Sequence, residues 1–202
     1  MPSHTPTIEA FPYFNVVPLL LNANCLSLKP AFAVASEAKE KWGGKVRALV
    51  RGSGPDQVWP LLEDFFSLHK WVPTIDTCYG VEGVSGEPGC VRYCSGTRSS
   101  ADGSEDVFTD WAMEKLLVTD PINKSFTYEI VDCNNVGFKS LAATMKLTEV
   151  RDAEEEDGCG MSWYFTVNQI EGWTEKDLTE FYSAALRVMA ERIQAALSSK
   201  GQ

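Results

Sequence analysis

Residues 174–198 read TEKDLTEFYSAALRVMAERIQAALS, and this stretch decides the fold. Thr174 and Asp177 have the spacing of a helix N-terminal cap. After them, apolar side chains recur every three or four residues, as they do on one face of an amphipathic helix. The segment therefore predicts one long helix, ending near Ser198, whose apolar face covers a sheet. That face carries Leu178, Phe181, Tyr182, Ala185, Leu186, Met189, Ile193 and Leu197.

The residues before this helix predict strands, because apolar and polar residues alternate between turn residues. Lys45 to Arg51 alternate in this way and form the first predicted strand. Pro55 then begins a helix that we expect to be kinked at Pro60, and a short second helical piece covers residues 68–71. The six further predicted strands cover residues 75–83, 89–97, 107–118, 124–132, 137–150 and 159–170.

These elements predict an α+β protein in which a curved, seven-stranded antiparallel sheet wraps around the long C-terminal helix. Two short helices after strand one close one end of the sheet. Such a sheet leaves a concave space against the helix, which is a natural site for a small molecule. The linkers at residues 99–106 and 152–158 are expected to be hairpin loops, and residues 85–89 a tight hairpin turn, with a mobile gate as the alternative.

The first 40 residues differ from the rest in composition and periodicity. They contain several prolines and show neither strand nor helix periodicity, so they predict an extension without regular structure, followed by one domain at 41–198. An apolar run at 16–21 imitates a secretion signal, but no Lys or Arg precedes it. We therefore expect a cytoplasmic protein, with secretion and organelle import as open alternatives.

The composition excludes several classes of function. The formal net charge is −10, and Lys and Arg are scattered, so nucleic acid is not an expected partner. No apolar run is long enough to span a bilayer, and membrane insertion is not expected. The six cysteines form no Cys-x-x-Cys pair and the chain has two histidines, so we predict no metal, no cofactor, and cysteines that are buried as reduced thiols.

Several short motifs stand in an order that resembles the plant lachrymatory-factor-synthase-like proteins. They belong to the START-related superfamily, which also contains polyketide cyclases, birch-pollen-allergen-like proteins and abscisic acid receptors. The resemblance covers residues 41–197 and implies their shared helix-grip fold. The motifs are Lys41-Trp42-x-Gly44-Lys45-Val46, Trp59-x-Leu61-Leu62-x-Asp64-Phe65, Leu68-His69-Lys70, Val81-Glu82-Gly83, Gly89-Cys90-Val91-Arg92-Tyr93, Trp111-Ala112-x-Glu114-Lys115-Leu116, Ala143-Thr144-Met145 and Ile170-Glu171-Gly172-x-Thr174-Glu175.

The resemblance implies a catalytic role for Arg92 and Glu114. In the synthase an arginine and a glutamate face each other in the cavity and move a proton within a sulfenic acid. A carboxylate can take one proton and return it to another atom, while a permanent cation holds the oxygen that becomes negative. The alternative is an ordinary cross-strand ion pair on the exposed face of the sheet. The alternation of residues does not decide between the two, because both faces of the strand around Arg92 are apolar enough to be buried.

Other positions suggest a ligand site that differs from that of the onion-type enzyme. Leu141 and Ala185 stand where that enzyme has a tyrosine and a tryptophan, so we expect a roomier cavity and a natural substrate other than 1-propenesulfenic acid. Asp110, four residues from Glu114, would add a second acid on the same strand face. Tyr128 matches a family tyrosine and could supply a hydroxyl to the ligand. We predict that Trp163 lines the pocket, although tryptophans more often fill the core.

Three functions remain open. The first is a cofactor-independent isomerase, cyclase or lyase that acts on a small hydrophobic or amphipathic metabolite through Arg92 and Glu114. The second is a binding or transfer protein in which the same pair anchors a polar group of an apolar ligand. The third is a hormone-receptor-like switch. It is disfavoured because Ile75 or Asp76 stands where the receptors hold their ligand with lysine.

Overall fold

Seven strands form a single sheet in the computed structural model of the chain, which describes residues 40–99, 107–151 and 157–200. The predicted N-terminal extension, apart from residue 40, and most of the two predicted hairpin loops lie outside the described residues. The strands are β1 (Lys41–Arg51), β2 (Thr77–Glu82), β3 (Val91–Ser99), β4 (Val107–Asp120), β5 (Ser125–Cys133), β6 (Ala142–Val150) and β7 (Gly158–Asn168).

The sheet is antiparallel throughout and has the order β1-β7-β6-β5-β4-β3-β2. β1 and β2 are therefore its two edges. The predicted fold class is confirmed: the curved sheet is combined with a long C-terminal helix and two short helices after β1. Among the described residues, no helix is long and apolar enough to cross a membrane.

The long helix α2 spans Glu175–Lys200 and begins at the predicted cap. The Thr174 Oγ1 hydroxyl donates to the Asp177 carboxylate at 2.7 Å, and the Asp177 N–H donates back to Thr174 Oγ1 at 3.2 Å. Its apolar face packs against β1 and β7 and buries Leu186 completely. The helix therefore forms the wall opposite the concave face of the sheet.

The two short helical elements are a helix α1 (Pro55–Glu63) and a 3₁₀ helix (Phe65–Lys70). Pro60 lies inside α1, and the helix breaks at Asp64 rather than at the proline. The Asp64 carboxylate accepts hydrogen bonds from the hydroxyls of Ser67 and Ser85. Because these bonds compete with helical geometry, the chain turns at Asp64 and places the next residue, Phe65, over the sheet.

One predicted strand starts later than expected. Residues 136–138 form a 3₁₀ turn, and β6 begins only at Ala142. The Phe138 N–H donates to the Asn135 carbonyl at 3.0 Å, and the Gly137 N–H donates to the Asn135 side-chain oxygen at 3.3 Å. An asparagine that bonds the backbone locally favours a turn over a strand, which explains the wrong boundary.

The close approach of two segments at Gly96 gives a first prediction. A Cβ on Gly96 in β3 would overlap the backbone carbonyl of Thr74, in the loop that leads into β2. We expect Gly96→Ala to lower the free energy of unfolding by about 2–3 kcal/mol, measured by urea titration. Gly43→Ala is the control, since a Cβ there makes only ordinary contacts. Equal losses in the two variants would contradict the close approach.

Candidate functional site

A buried ion pair joins β3 to β4 on the concave face of the sheet. Arg92 and Glu114 are directly opposite in the strand register, and only 3% and 8% of their surfaces are exposed. Arg92 Nε donates to Glu114 Oε2 at 2.6 Å, and Nη2 lies 2.5 Å from the same oxygen. The two residues that the resemblance selects are therefore in contact, and the exposed ion pair considered as the alternative does not fit this burial.

Aromatic rings and a backbone carbonyl fix the orientation of Arg92. Its Nη1 donates to the Phe65 carbonyl at 2.8 Å, and its guanidinium lies 3.8 Å from the centre of the Phe65 ring and 5.3 Å from that of the Tyr128 ring. Planar guanidinium groups stack well on such rings. The end of α1 at Asp64 therefore determines the geometry of the site, because it places both the ring and the carbonyl of Phe65 against Arg92.

The charges of the pair affect the groups around it. Burial disfavours the charged form of Arg92 and is the largest single effect, but the Glu114 carboxylate together with Cys94, Tyr128 and Cys78 outweighs it, and the pKa of Arg92 is raised. Burial, reinforced by Glu114, also raises the pKa of Tyr128 well above its usual value, and raises that of Tyr182. Both phenols are therefore neutral at physiological pH and available as hydrogen-bond donors.

Some hydrogen-bonding atoms of the ion pair have no partner within the described residues. Both contacts from Arg92 to Glu114 end on Oε2, and Oε1 accepts no hydrogen bond from the described residues. A guanidinium carries five N–H donors, and those of Arg92 that bond to neither Glu114 nor Phe65 have no partner within the described part of the chain. The pair can therefore bind a polar group without first breaking its own contact.

A small cavity borders Arg92. It encloses about 20 Å³, which is room for a single water molecule. Arg92, Tyr128 and Trp163, three of the predicted site residues, line it, whereas Glu114, Leu141, Ala185 and Asp110 do not. Its other walls are mostly apolar and consist of Leu61, Leu62, Asp64, Leu68, Trp71, Phe126, Met145 and Met189.

The expected roomier cavity is thus not observed. Leu141 is buried in the core and Ala185 packs partly buried against it. One turn before Ala185 on α2, the Tyr182 ring stacks on Phe165 at 4.3 Å and meets Trp163 edge-on at 4.8 Å. The residues at positions 141 and 185 do not enlarge the cavity, since neither of them lines it.

Asp110 has a different partner from the one expected. It occupies the predicted face of β4, but its Oδ2 pairs with Arg98 Nε at 2.7 Å, and about a third of its side chain is exposed. It lies opposite Gly96, four residue pairs away from the pairing of Arg92 with Glu114. Asp110 is therefore held by its own cation near the end of the sheet and adds no second acid at the cavity.

Three buried nitrogens have no hydrogen-bond partner within the described chain: Nε1 of Trp59, Nε1 of Trp163 and Nδ1 of His69. Trp163 is the one of these that lines the cavity. Trp163 interacts with the Tyr128 hydroxyl and, against the larger effect of burial, acts to lower the pKa of that phenol, but it forms no well-aligned hydrogen bond, so its Nε1 is a second point at which a polar ligand atom would be stabilised. His69, expected to pack or to hydrogen-bond, lies near Cys78 and contributes to the low pKa of that thiol.

Sequence reasoning missed Phe65 and the pair formed by Cys78 and Cys94. The role of Phe65 depends on its carbonyl, and no residue pattern signals a carbonyl. The two cysteines lie opposite each other in β2 and β3, with their sulfurs 3.1 Å apart. Only the strand register reveals that contact. Within the described ranges, no group of three or more His, Cys, Asp or Glu side chains is placed to hold a metal ion.

Comparisons with known proteins agree with this architecture. A family model described as polyketide cyclase / dehydrase and lipid transport matches residues 53–198. The solved structure of Ara h 8.0201 is similar, with 17% identity and a TM-score of 0.56 over 79% of this chain and 99% of that one. XoxI from Bacillus cereus has 18% identity and a TM-score of 0.54 over 80% and 98%. At these identities the two structures show the fold alone.

Proposed function

The chain belongs to the polyketide cyclase / dehydrase and lipid transport family, and from this premise we propose that it is a cofactor-independent enzyme that moves a proton within a small organic metabolite. Glu114 is the proton carrier and Arg92 the partner of the developing negative charge. The reaction is of the isomerase or cyclase type and is similar to that of the lachrymatory-factor-synthase-like proteins. Its substrate has an acidic hydrogen next to an oxygen and an otherwise apolar body.

The observation that carries this proposal is the burial of a charged pair with unused polar atoms, whose arginine borders a mostly apolar cavity. A buried ion pair contributes little net stability, because desolvation of the two charges offsets their attraction. Glu114 Oε1 is unbonded within the described chain and Arg92 keeps N–H donors in reserve. A pair that served only the fold would be expected to use these atoms.

The proposed reaction uses these atoms in turn. Arg92 binds the substrate oxygen through its remaining N–H donors, and Glu114 Oε1 takes the acidic hydrogen. Negative charge then develops on the oxygen beside a guanidinium that cannot lose its own proton. Glu114 returns the proton to a second atom of the same molecule. The neutral Tyr128 hydroxyl is a further donor at the same wall.

Substrate entry requires the cavity to widen from about 20 Å³. Two of its walls are Met145 and Met189, whose side chains adapt easily to a guest. A third wall is formed by the 3₁₀ helix, which is held to the turn at 85–89 by the Asp64–Ser85 bond of 3.1 Å and by a bond of 3.2 Å from the Phe66 N–H to Ser85. The 3₁₀ helix is also held by the bond from Arg92 to the Phe65 carbonyl, so we expect the two methionine side chains to move first.

Turnover in deuterated water tests the proposal. The purified chain is incubated in D₂O with a small-molecule extract of the cells that make it, and the mixture is followed by chromatography and mass spectrometry. We expect one component to be replaced by an isomer of the same composition, with deuterium on carbon where carbon receives the proton. Heat-denatured protein is the control. If no component changes, the catalytic proposal is wrong.

A binding or transfer protein is the second candidate, and the unpartnered Trp163 Nε1 in a mostly apolar lining favours it. In that case Arg92 and Trp163 only anchor the polar end of a hydrophobic ligand. Native mass spectrometry of protein purified from its own source separates the two functions. One compound released unchanged supports a carrier, whereas an empty cavity or a substrate and product pair supports the enzyme.

Two narrower statements remain predictions. The first is that 1-propenesulfenic acid is not the natural substrate, which turnover well above its rate of decay in solution would contradict. The second is a cytoplasmic location, which microscopy of the fluorescently tagged full-length chain tests.

A further inference from the structure

Two cysteines face each other across the edge of the sheet. Cys78 in β2 and Cys94 in β3 are direct partners in the register, and Cys94 Sγ donates to Cys78 Sγ at 3.1 Å. Opposite residues of antiparallel strands have Cα atoms about 4.5–5.5 Å apart, within the range of about 4.4–6.8 Å that disulfides span. The two sulfurs can therefore form a bond without rearrangement of the backbone.

The surroundings make the two thiols unequal. The hydrogen bond from Cys94 lowers the pKa of Cys78, and the charge of Arg92 and the nearby His69 act in the same direction against the effect of burial. The same hydrogen bond, together with burial and the Glu114 carboxylate, raises the pKa of Cys94. One sulfur is thus favoured as a thiolate and its neighbour as a thiol.

The other described cysteines lack this arrangement. Burial raises the pKa of Cys90, of Cys133 and of Cys159, the last to about 12. Since the thiolate is the reactive form, these three are inert by comparison. Cys78 also belongs to the edge strand β2, whose following residues 79–82 are exposed, so a reagent little larger than water has a short path to it.

We propose that Cys78 and Cys94 form a dithiol that hydrogen peroxide converts reversibly to a disulfide. The Cys78 thiolate attacks one peroxide oxygen, an S–O bond forms, the O–O bond breaks and hydroxide leaves. The Cys94 sulfur then attacks the Cys78 sulfur, the S–O bond breaks, and the departing hydroxide leaves as water with the Cys94 proton. The thiols lose two electrons and the peroxide is reduced to water. A thiol reductant restores the pair.

Peptide mapping of the full chain tests this. The reduced protein is treated with hydrogen peroxide, alkylated with iodoacetamide and cleaved with trypsin and Glu-C, which separates Cys78 from Cys90. The expected product joins peptide 71–82 to peptide 93–98, with a mass about 2 Da below the sum of the two thiol peptides. Dithiothreitol should remove the link. Full alkylation of both cysteines after peroxide treatment of the folded protein would overturn the proposal.

Single variants test which cysteine attacks the peroxide and which one then forms the disulfide. Cys94→Ser should stop at a Cys78 sulfenic acid, which dimedone traps, and Cys78→Ser should lower the rate of peroxide consumption at least ~10-fold. Cys133→Ser is the matched control and should keep the linked peptide. Consumption by Cys78→Ser at the wild-type rate would show that Cys78 is not the nucleophile. Circular dichroism verifies that each variant folds, and the wild-type map decides the main question even if one does not. Because no substrate is involved, the result is independent of the proposed proton transfer.

Discussion

Glu114→Gln should convert the substrate at least ~100-fold more slowly than the unaltered chain. Glutamine has the size of glutamate and can still accept hydrogen bonds from Arg92, but it cannot take up a proton at neutral pH. The initial rate of isomer formation in the D₂O assay measures the loss. A carrier would instead hold its ligand within a few fold of the original affinity after the same change.

Two further variants make this result interpretable. Glu149→Gln removes an exposed carboxylate that pairs with Arg151, and it should leave the rate within about twofold. Glu114→Asp keeps the charge but withdraws the carboxylate by one methylene. We expect the rate of isomer formation still to fall about 100-fold, because the carboxylate is misplaced. Undiminished turnover by folded Glu114→Gln would remove Glu114 from the mechanism.

Arg92→Met should lower the free energy of unfolding by about 3–5 kcal/mol at neutral pH. The change leaves the carboxylate of Glu114 buried without its cation, and it removes the hydrogen bond to the Phe65 carbonyl. Methionine keeps most of the volume of arginine. The loss of unfolding free energy therefore reflects the missing charge more than a cavity left by the substitution. Urea unfolding followed by tryptophan fluorescence measures it.

A double variant separates the charge from the packing. Arg92→Met combined with Glu114→Gln removes both charges, and we expect it to recover a large part of the loss. Arg151→Met, on an ion pair whose side chains are 75% and 56% exposed, should change stability by less than about 0.5 kcal/mol. A loss below about 1 kcal/mol for Arg92→Met would mean that water reaches the pair in solution.

Much of the fold could be predicted because its elements are locally encoded. The seven strands alternate, and α2 has both a cap and an apolar stripe, so each was identifiable from neighbouring residues alone. The errors fall where local side chains override the pattern. Asn135 turns the backbone before β6. α1 continues past Pro60 and ends at Asp64, whose carboxylate bonds to Ser67 and Ser85.

The site could be predicted only in part, because much of it depends on contacts between distant segments. The resemblance selected Arg92 and Glu114, which the structure places in contact, and their catalytic role stays a prediction. The size of the cavity was not predictable, since it depends on how side chains from distant segments, such as Leu62 of α1, Met145 of β6 and Met189 of α2, pack together. The pairing of Asp110 with Arg98 and the contact of Cys78 with Cys94 depend in the same way on strand register.

A crystal structure of the Glu114→Gln variant soaked with the converted metabolite tests the central claim most directly, because this variant should bind the substrate without consuming it. We predict a substrate oxygen within hydrogen-bonding distance of the Arg92 guanidinium, its acidic hydrogen directed at residue 114, and its apolar body between Phe126 and Met145. A metabolite bound away from Arg92, or on the outer face of the sheet, would contradict the account.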